Sequence, residues 1–319
     1  MLPLIETAAN PAPQGGAAIK IRTADGIALR CAAWRPQGRV HGTAVLLNGR
    51  TEYIEKYFET AGDLLARGFG VITIDWRGQG GSQRLLPERL KGHVRDFAEY
   101  GRDLATAIEA AKAREMQAPF ILLAHSMGAV IGLSFLHDAP DVFACAVLSA
   151  PMLDIKTPMP GFLARGIARA GVMLGGSEAY VPGGAGPRPE EEKFEGNPVT
   201  SDRARFERNM GVLKANPKLG VARPTLGWVD AAYRAMARIN ASEFCAGVET
   251  PLLLASAGND RIVNPGADLR LVQRLKHGVF VAFGDSEHEI LQERDDVRTE
   301  FFAAFDAFVA LHIPGYRAA

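Results

Sequence analysis

The chain has 319 residues, 47% hydrophobic and 23% charged, enough for one large α/β domain or two smaller ones. Lys+Arg and Asp+Glu each number 36, so the net charge is zero, which excludes a nucleic-acid binder driven by a basic surface. Cys31, Cys145 and Cys245 lie far apart, with no Cys-x-x-Cys or His-x-x-x-His spacing. Neither a disulfide framework nor a metal site is therefore expected, no cofactor is called for, and a cytoplasmic location is expected.

Residues 1–18, "MLPLIETAANPAPQGGAA", lack a basic start and have only a short apolar opening, so a loose tail is expected rather than a signal peptide. No apolar run reaches the ~18 residues a membrane span needs. "IKIRTA" (19–24) and "IALRCAAW" (27–34) alternate and are joined by Asp25-Gly26, a hairpin signal. Six further runs hardly alternate: 43–49, 70–76, 120–126, 144–150, 251–257 and 278–283. Strands buried on both faces of a parallel sheet look like that. Helical spacing fills the gaps at 55–68, with Phe58, Ala61, Leu64 and Leu65 on one face, and at 94–113, 127–138 and 298–312. This order predicts an α/β fold with a mostly parallel eight-stranded sheet. Residues 152–245 break the rhythm with prolines, glycines and helical pieces at 203–215 and 228–239. They are expected to form a helical cap inserted after strand six, between core parts 19–151 and 246–319.

"LLAHSMGAVIG" (122–132) sets Ser126 between a buried strand and a helix. A nucleophile elbow has this context, and its tight turn needs small residues two before and two after, here Ala124 and Gly128. The alternative is a helix N-cap serine, worth ~1 kcal/mol. A serine nucleophile needs a base and a carboxylate to orient that base. Of the seven histidines, His288 in "FGDSEHEIL" follows strand eight, at the carboxyl edge where open α/β sheets build their sites. Asp260 in "ASAGNDRIV" follows strand seven at the same edge, and Asp154 after strand six is the rival acid. His125 adjoins the serine, but neighbours on a tight turn diverge. The backbone N–H groups of Arg50 and Met127 are the expected oxyanion donors. "DWRGQGGSQ" (75–83) has Gln83 where a dinucleotide loop would put its third glycine, so a turn needing positive φ is the better reading.

"NGRTEYIEKY", "IDWRGQGGS", "GHVRDFAEYGRDL", "LLAHSMGA", "NPVTSDRARFERN", "SAGNDRIV" and "SEHEIL" together resemble the bacterial lysophospholipase and monoacylglycerol lipase branch of the α/β-hydrolase superfamily, from about residue 20 to 312. The resemblance implies Ser126 as nucleophile, Asp260 as acid, His288 as base, and Arg50 and Met127 as oxyanion donors. It also implies a single-chain lipid ester as substrate. Two departures, Asn48 before Gly49 in place of histidine and Ala124 in place of glycine, lean toward the lysophospholipase side. Apolar cap residues, Phe162, Ile167 and Met173 above all, are expected either to line an acyl tunnel or to pack the cap onto the core. Lys156, Arg165 and Arg169 nearby are expected to meet a lipid surface or to form a solvated face. The Arg50 guanidinium is expected to pair with a phosphate diester, or else to face solvent or brace Glu52. Small-ester, thioester or peptide hydrolysis on the same three residues, and a non-catalytic binding protein on the same scaffold, are the alternatives.

Overall fold

The computed structural model describes residues 2–317. Eight strands form one sheet: β1 (Ala17–Arg22), β2 (Ala28–Trp34), β3 (Gly42–Leu47), β4 (Phe69–Ile74), β5 (Phe120–His125), β6 (Cys145–Ser149), β7 (Leu252–Ala257) and β8 (Gly278–Phe283). Their order is β1-β2-β4-β3-β5-β6-β7-β8. The β1–β2 and β2–β4 pairs are antiparallel and the rest parallel. Every residue of β3 to β7 is buried, which is why these runs do not alternate in the sequence. β8 departs from that reading: it is an edge strand, and only Phe283 is fully buried.

The helices are α1 (Phe58–Ala66), α2 (Ala98–Ala113), α3 (Met127–Asp138), α4 (Gly161–Met173), α5 (Arg203–Ala215), α6 (Leu226–Ile239), α7 (Pro265–Val272) and α8 (Asp295–His312). Residues of α2, α3 and α6 share one apolar cluster with one face of the sheet, and those of α1 and α8 share a second with the other face. α2 starts later than its apolar spacing suggests, because the Asp96 carboxylate accepts the Ala98 N–H at 2.9 Å and ends the preceding loop. α4 and α7 were not separable from their Pro- and Gly-containing surroundings by pattern. α7 is only eight residues long, and α4 buries only Ala168.

Between β6 and β7 run α4, α5 and α6. α6 is embedded in the core through Trp228, Ala231, Ala232 and Ile239. α5 is tied down by Arg205, which donates to Glu59 of α1 at 2.6 and 2.9 Å. The opening segment is not the loose tail that its composition suggests. Leu2 N–H donates to Ala18 at 2.7 Å, Ile5 N–H to the Glu55 carboxylate at 3.0 Å, and the Trp34 indole N–H to Pro13 at 3.1 Å. Trp34 is buried and its indole N–H needs an acceptor, which the segment supplies, while Glu55, already held by Arg30, gains a further donor from it. Among the described residues no helix is long and apolar enough to cross a membrane.

Candidate active site

Ser126 is the single residue between β5 and α3, with φ 50° and ψ −114°. A positive φ at a non-glycine residue costs energy and persists only where neighbours enforce it. Here Ser126 N–H donates to the Ser149 carbonyl at 3.0 Å, and the Ser126 carbonyl accepts from Met152 N–H at 3.1 Å. A Cβ on Gly128 would lie 2.6 Å from the Asn48 carbonyl oxygen, so only glycine lets α3 approach the end of β3 this closely. The small residue on the other side, Ala124, is buried and pairs with Leu47 and Leu148. The N-cap alternative fails, since the Ser126 side chain makes no capping hydrogen bond.

The Ser126 hydroxyl instead faces His288, with Oγ 2.9 Å from Nε2. His288 Nδ1 lies 2.6 Å from Asp260 Oδ2. Asp260 Oδ1 accepts the backbone N–H groups of Ile262 and Val263 at 2.7 and 2.8 Å. Burial works against the charge on Asp260, yet the His288 hydrogen bond and these two N–H groups hold its carboxyl below the usual range. An ionised Asp260 fixes the proton on Nδ1, which leaves Nε2 free to accept from the serine. The rival acid, Asp154, is exposed and accepts from the Asn264 side-chain amide at 3.0 Å.

Arg50 lines the cavity onto which Ser126 opens and Met127 follows the serine in the chain; neither backbone N–H donates to another group among the described residues. Met127 opens a twelve-residue helix, whose N-terminus carries partial positive charge. The turn holding Arg50 is braced on each side. Gly49 N–H donates to the Glu52 carboxylate, and Thr51 N–H donates to the Gln79 side chain at 2.5 Å. Gln79 belongs to the glycine loop, where Gly78 and Gly80 have φ of 79° and 51°. That loop also wraps Asp75, which accepts from Ile54 N–H at 2.9 Å and Gly81 N–H at 2.6 Å. It is a brace for the turn, as its departure from the dinucleotide pattern suggests.

Sequence reasoning missed a buried polar cluster behind the site. Lys56 Nζ lies 3.0 Å from Glu52 and 2.5 Å from Glu289, and Tyr57 donates to Glu52 at 2.7 Å. The His125 ring packs on that of His288, with centroids 4.8 Å apart. Burial pushes the His125 pKa down to about 4, so it is neutral near pH 7. Glu52, His125 and Glu289 offer ligand atoms within 4.8 Å of one another, but the Lys56 ammonium already supplies the cation between the two carboxylates. The Glu52–Lys56 pair is close in the chain, but Glu52 precedes the short helical turn Ile54–Tyr57, so helical spacing did not flag it. Nor did it flag the contact to Glu289.

Ser126 opens onto a cavity of about 270 Å³ walled by Met152, Ile155, Val199, Trp228 and Ile262. Phe162, Ile167 and Met173, the expected tunnel residues, do not border it. They are 74%, 43% and 75% exposed, because α4 turns only Ala168 inward and presents these side chains to solvent. The Arg50 guanidinium neither faces solvent alone nor braces Glu52; it lies over the Trp228 ring at 5.1 Å.

Comparison with known proteins agrees with this geometry. Residues 38–295 match the family described as serine aminopeptidase, S33. Lysophospholipase L2 of Escherichia coli is 34% identical over 301 residues, covering 90% of this chain and 86% of that protein. A probable lysophospholipase L2 of Haemophilus influenzae is 31% identical, covering 86% of both. A soluble variant of monoglyceride lipase from Saccharomyces cerevisiae superposes with a TM-score of 0.73 at 18% identity, over 95% of this chain and 99% of that one. A carboxyl esterase from Bacillus coagulans superposes at 0.76 and 16%, over 94% and 99%. These two structures establish the fold alone. The matched span and the L2 relatives together make this chain a member of the serine aminopeptidase S33 family of α/β-hydrolases.

Proposed function

We propose that this chain hydrolyses the carboxylic ester of a single-chain lipid through an acyl-enzyme on Ser126. The observation that carries the reading is the Ser126 Oγ to His288 Nε2 contact of 2.9 Å, backed by Asp260, at the floor of an apolar-walled cavity. His288 takes the serine proton as Oγ attacks the ester carbonyl, and Asp260 stabilises the imidazolium that forms. The developing oxyanion turns to the N–H groups of Arg50 and Met127, each worth roughly 3 kcal/mol in kcat. The same imidazolium then protonates the leaving alcohol, and a water activated by His288 releases the fatty acid. Relatives named as lysophospholipases and a monoacylglycerol lipase support the lipid ester over a small one.

In this reading, residues 152–245 act as a cap, and α4 meets the lipid surface. Its exposed Phe162 and Met173, with Leu174 just after it, lie alongside Arg165 and Arg169, the composition of an interfacial helix. Three free, buried cysteines support a reducing cytoplasm. The test is a fluorophosphonate probe with wild type and Ser126→Ala, followed by p-nitrophenyl esters from acetate to palmitate and by lipid esters. Labelling is expected only with Ser126 present, and kcat/KM is expected to rise with chain length. Turnover that peaks at the shortest esters would remove the lipid reading.

A further inference from the structure

The cavity over Ser126 has a neighbour. A second space, also about 270 Å³, lies between α5 and the 185–200 stretch. Arg50, Thr51, Val199 and Glu289 border both spaces, so the two meet along that rim. Their chemistry differs. The first offers Met152, Ile155, Trp228 and Ile262, while the second adds Lys56, Glu192, Asn209 and Arg223.

Arg50 stands at the rim with its charge uncompensated. Nη2 donates to the Ala222 carbonyl at 2.5 Å, and Nε is buried with no partner. Among the described residues it forms no ion pair, like the half-buried Arg84 and Arg89 and unlike the three fully buried arginines. Arg30 is held by Glu55 and Asp75, Arg77 by Asp25 and Asp103, and Arg298 by Asp63. Burial pushes the Arg50 pKa down to about 10, the direction expected of a cation taken out of water without a counter-ion. The sequence also makes room for it: a Cβ on Gly92 would lie 2.8 Å from Arg50 Nη2. Arg223, adjacent to the carbonyl that Arg50 holds, also pairs with no carboxylate among the described residues and donates to Gly183 at 3.2 Å.

We propose that Arg50, aided by Arg223, binds the phosphodiester of a lysophospholipid, and that the second cavity receives its headgroup. This rests on the lipid-ester reading of Ser126. With the ester carbonyl at Ser126 and the acyl chain on the apolar wall, the alcohol side of the substrate crosses the Thr51–Val199 rim and reaches the guanidinium. A phosphate diester gives that fork a charged, bidentate partner. A monoacylglycerol leaves it unpaired, and a site built for a polar group rejects the analogue that lacks it.

The test reads binding without chemistry. Ser126→Ala is titrated calorimetrically with ether-linked lysophosphatidylcholine and with the ether monoglyceride of the same chain. The phospholipid analogue is expected to bind at least about tenfold more tightly, and Arg50→Met in that background to abolish the preference. Arg223→Met, which leaves the backbone of the oxyanion turn unaltered, is expected to reduce it and decides the matter if Arg50→Met does not fold. Inorganic phosphate at millimolar concentration is expected to leave the lipid bound. Equal affinity for the two analogues, or an equal loss of both in Arg50→Met, overturns the proposal, and displacement by phosphate reassigns the site to the free ion. If wild type hydrolyses no ester, the lipid-ester function fails on that assay alone, while the binding preference is still measured. In active enzyme, the kcat/KM ratio of phospholipid to monoglyceride is compared across variants, so that any shared loss from the oxyanion backbone cancels.

Discussion

Gly128→Ala tests whether the close approach of α3 to β3 sets the oxyanion geometry. The added Cβ would sit 2.6 Å from the Asn48 carbonyl oxygen and 2.9 Å from that of Leu47, both backbone atoms. Carbon–oxygen contacts ordinarily stop at ~3.3 Å, so the two elements must part by about 0.7 Å. The displaced strand end leads directly into Gly49 and Arg50, while Met127 moves with α3. An oxyanion bond of ~2.9 Å then stretches past ~3.5 Å and ceases to be one. The expected cost is ~2.7–4 kcal/mol in kcat, a fall of about a hundredfold to a thousandfold. Overpacking adds ~1–3 kcal/mol of lost stability. Gly101→Ala is the control: it lies in α2, its Cβ meets nothing within 4 Å, and it is expected to gain ~0.5–1 kcal/mol. The measurements are kcat on p-nitrophenyl butyrate and Tm by circular dichroism. A Gly128→Ala enzyme with normal kcat and normal Tm would refute the reasoning.

Ser126→Ala and His288→Ala are each expected to lower kcat about a millionfold, and Asp260→Asn about ten-thousandfold, with the fold intact by circular dichroism. Asp154→Asn, on an exposed side chain, is expected to leave activity little changed; the reverse order would move the acid to Asp154. Asp268 is buried beside Ser256, and burial followed by the nearby Asp260 charge pushes its carboxyl up to about 7. Its folded pKa lies above the unfolded value of 3.8, so its contribution is full below that pH and is lost as pH rises toward about 7. Asp268→Asn is therefore expected to flatten the Tm profile between those limits, and an unchanged difference from wild type across the range would count against it. Phe162→Asp with Met173→Asp, on side chains that are 74% and 75% exposed, is expected to spare Tm and butyrate turnover while lowering turnover of vesicle-borne lipid. Equal losses on both substrates would place those residues in the cavity instead.

What the sequence made legible follows from what burial does to a strand or a turn. β3 to β7 are covered on both faces, so their residues had no reason to alternate, and their boundaries were readable to within a residue or two. Ser126 was readable because strand, turn and helix adjoin in the chain. Asp260 and His288 were readable because each follows a strand at the carboxyl edge. α4 was not readable in the same way. Its apolar stripe says that one face differs from the other, but nothing in the stripe says which face meets water, and the acyl-tunnel expectation chose the wrong one. Arg50 was legible as a position and not as an environment. Its lack of a carboxylate depends on Ala222 and Trp228, far along the chain.

The least legible part of the site is also what couples its two halves. The proposed oxyanion turn follows β3 and the proposed base, His288, follows β8, toward opposite ends of the chain, so nothing local keeps them in register. Lys56 does so from 233 residues away: its ammonium binds Glu52, which holds the Gly49 N–H, and Glu289, which adjoins His288. Lys56 is only 11% exposed, and two carboxylates share its one positive charge. Removing one member of such a cluster leaves an unpaired charge out of water, so each holds the others in place. His125 fills the remaining wall as a neutral ring against His288, where a charged one would repel the imidazolium formed in catalysis. The turn and the base are thus two ends of one buried charge network, whose members had to be seen in space before any could be assigned a part.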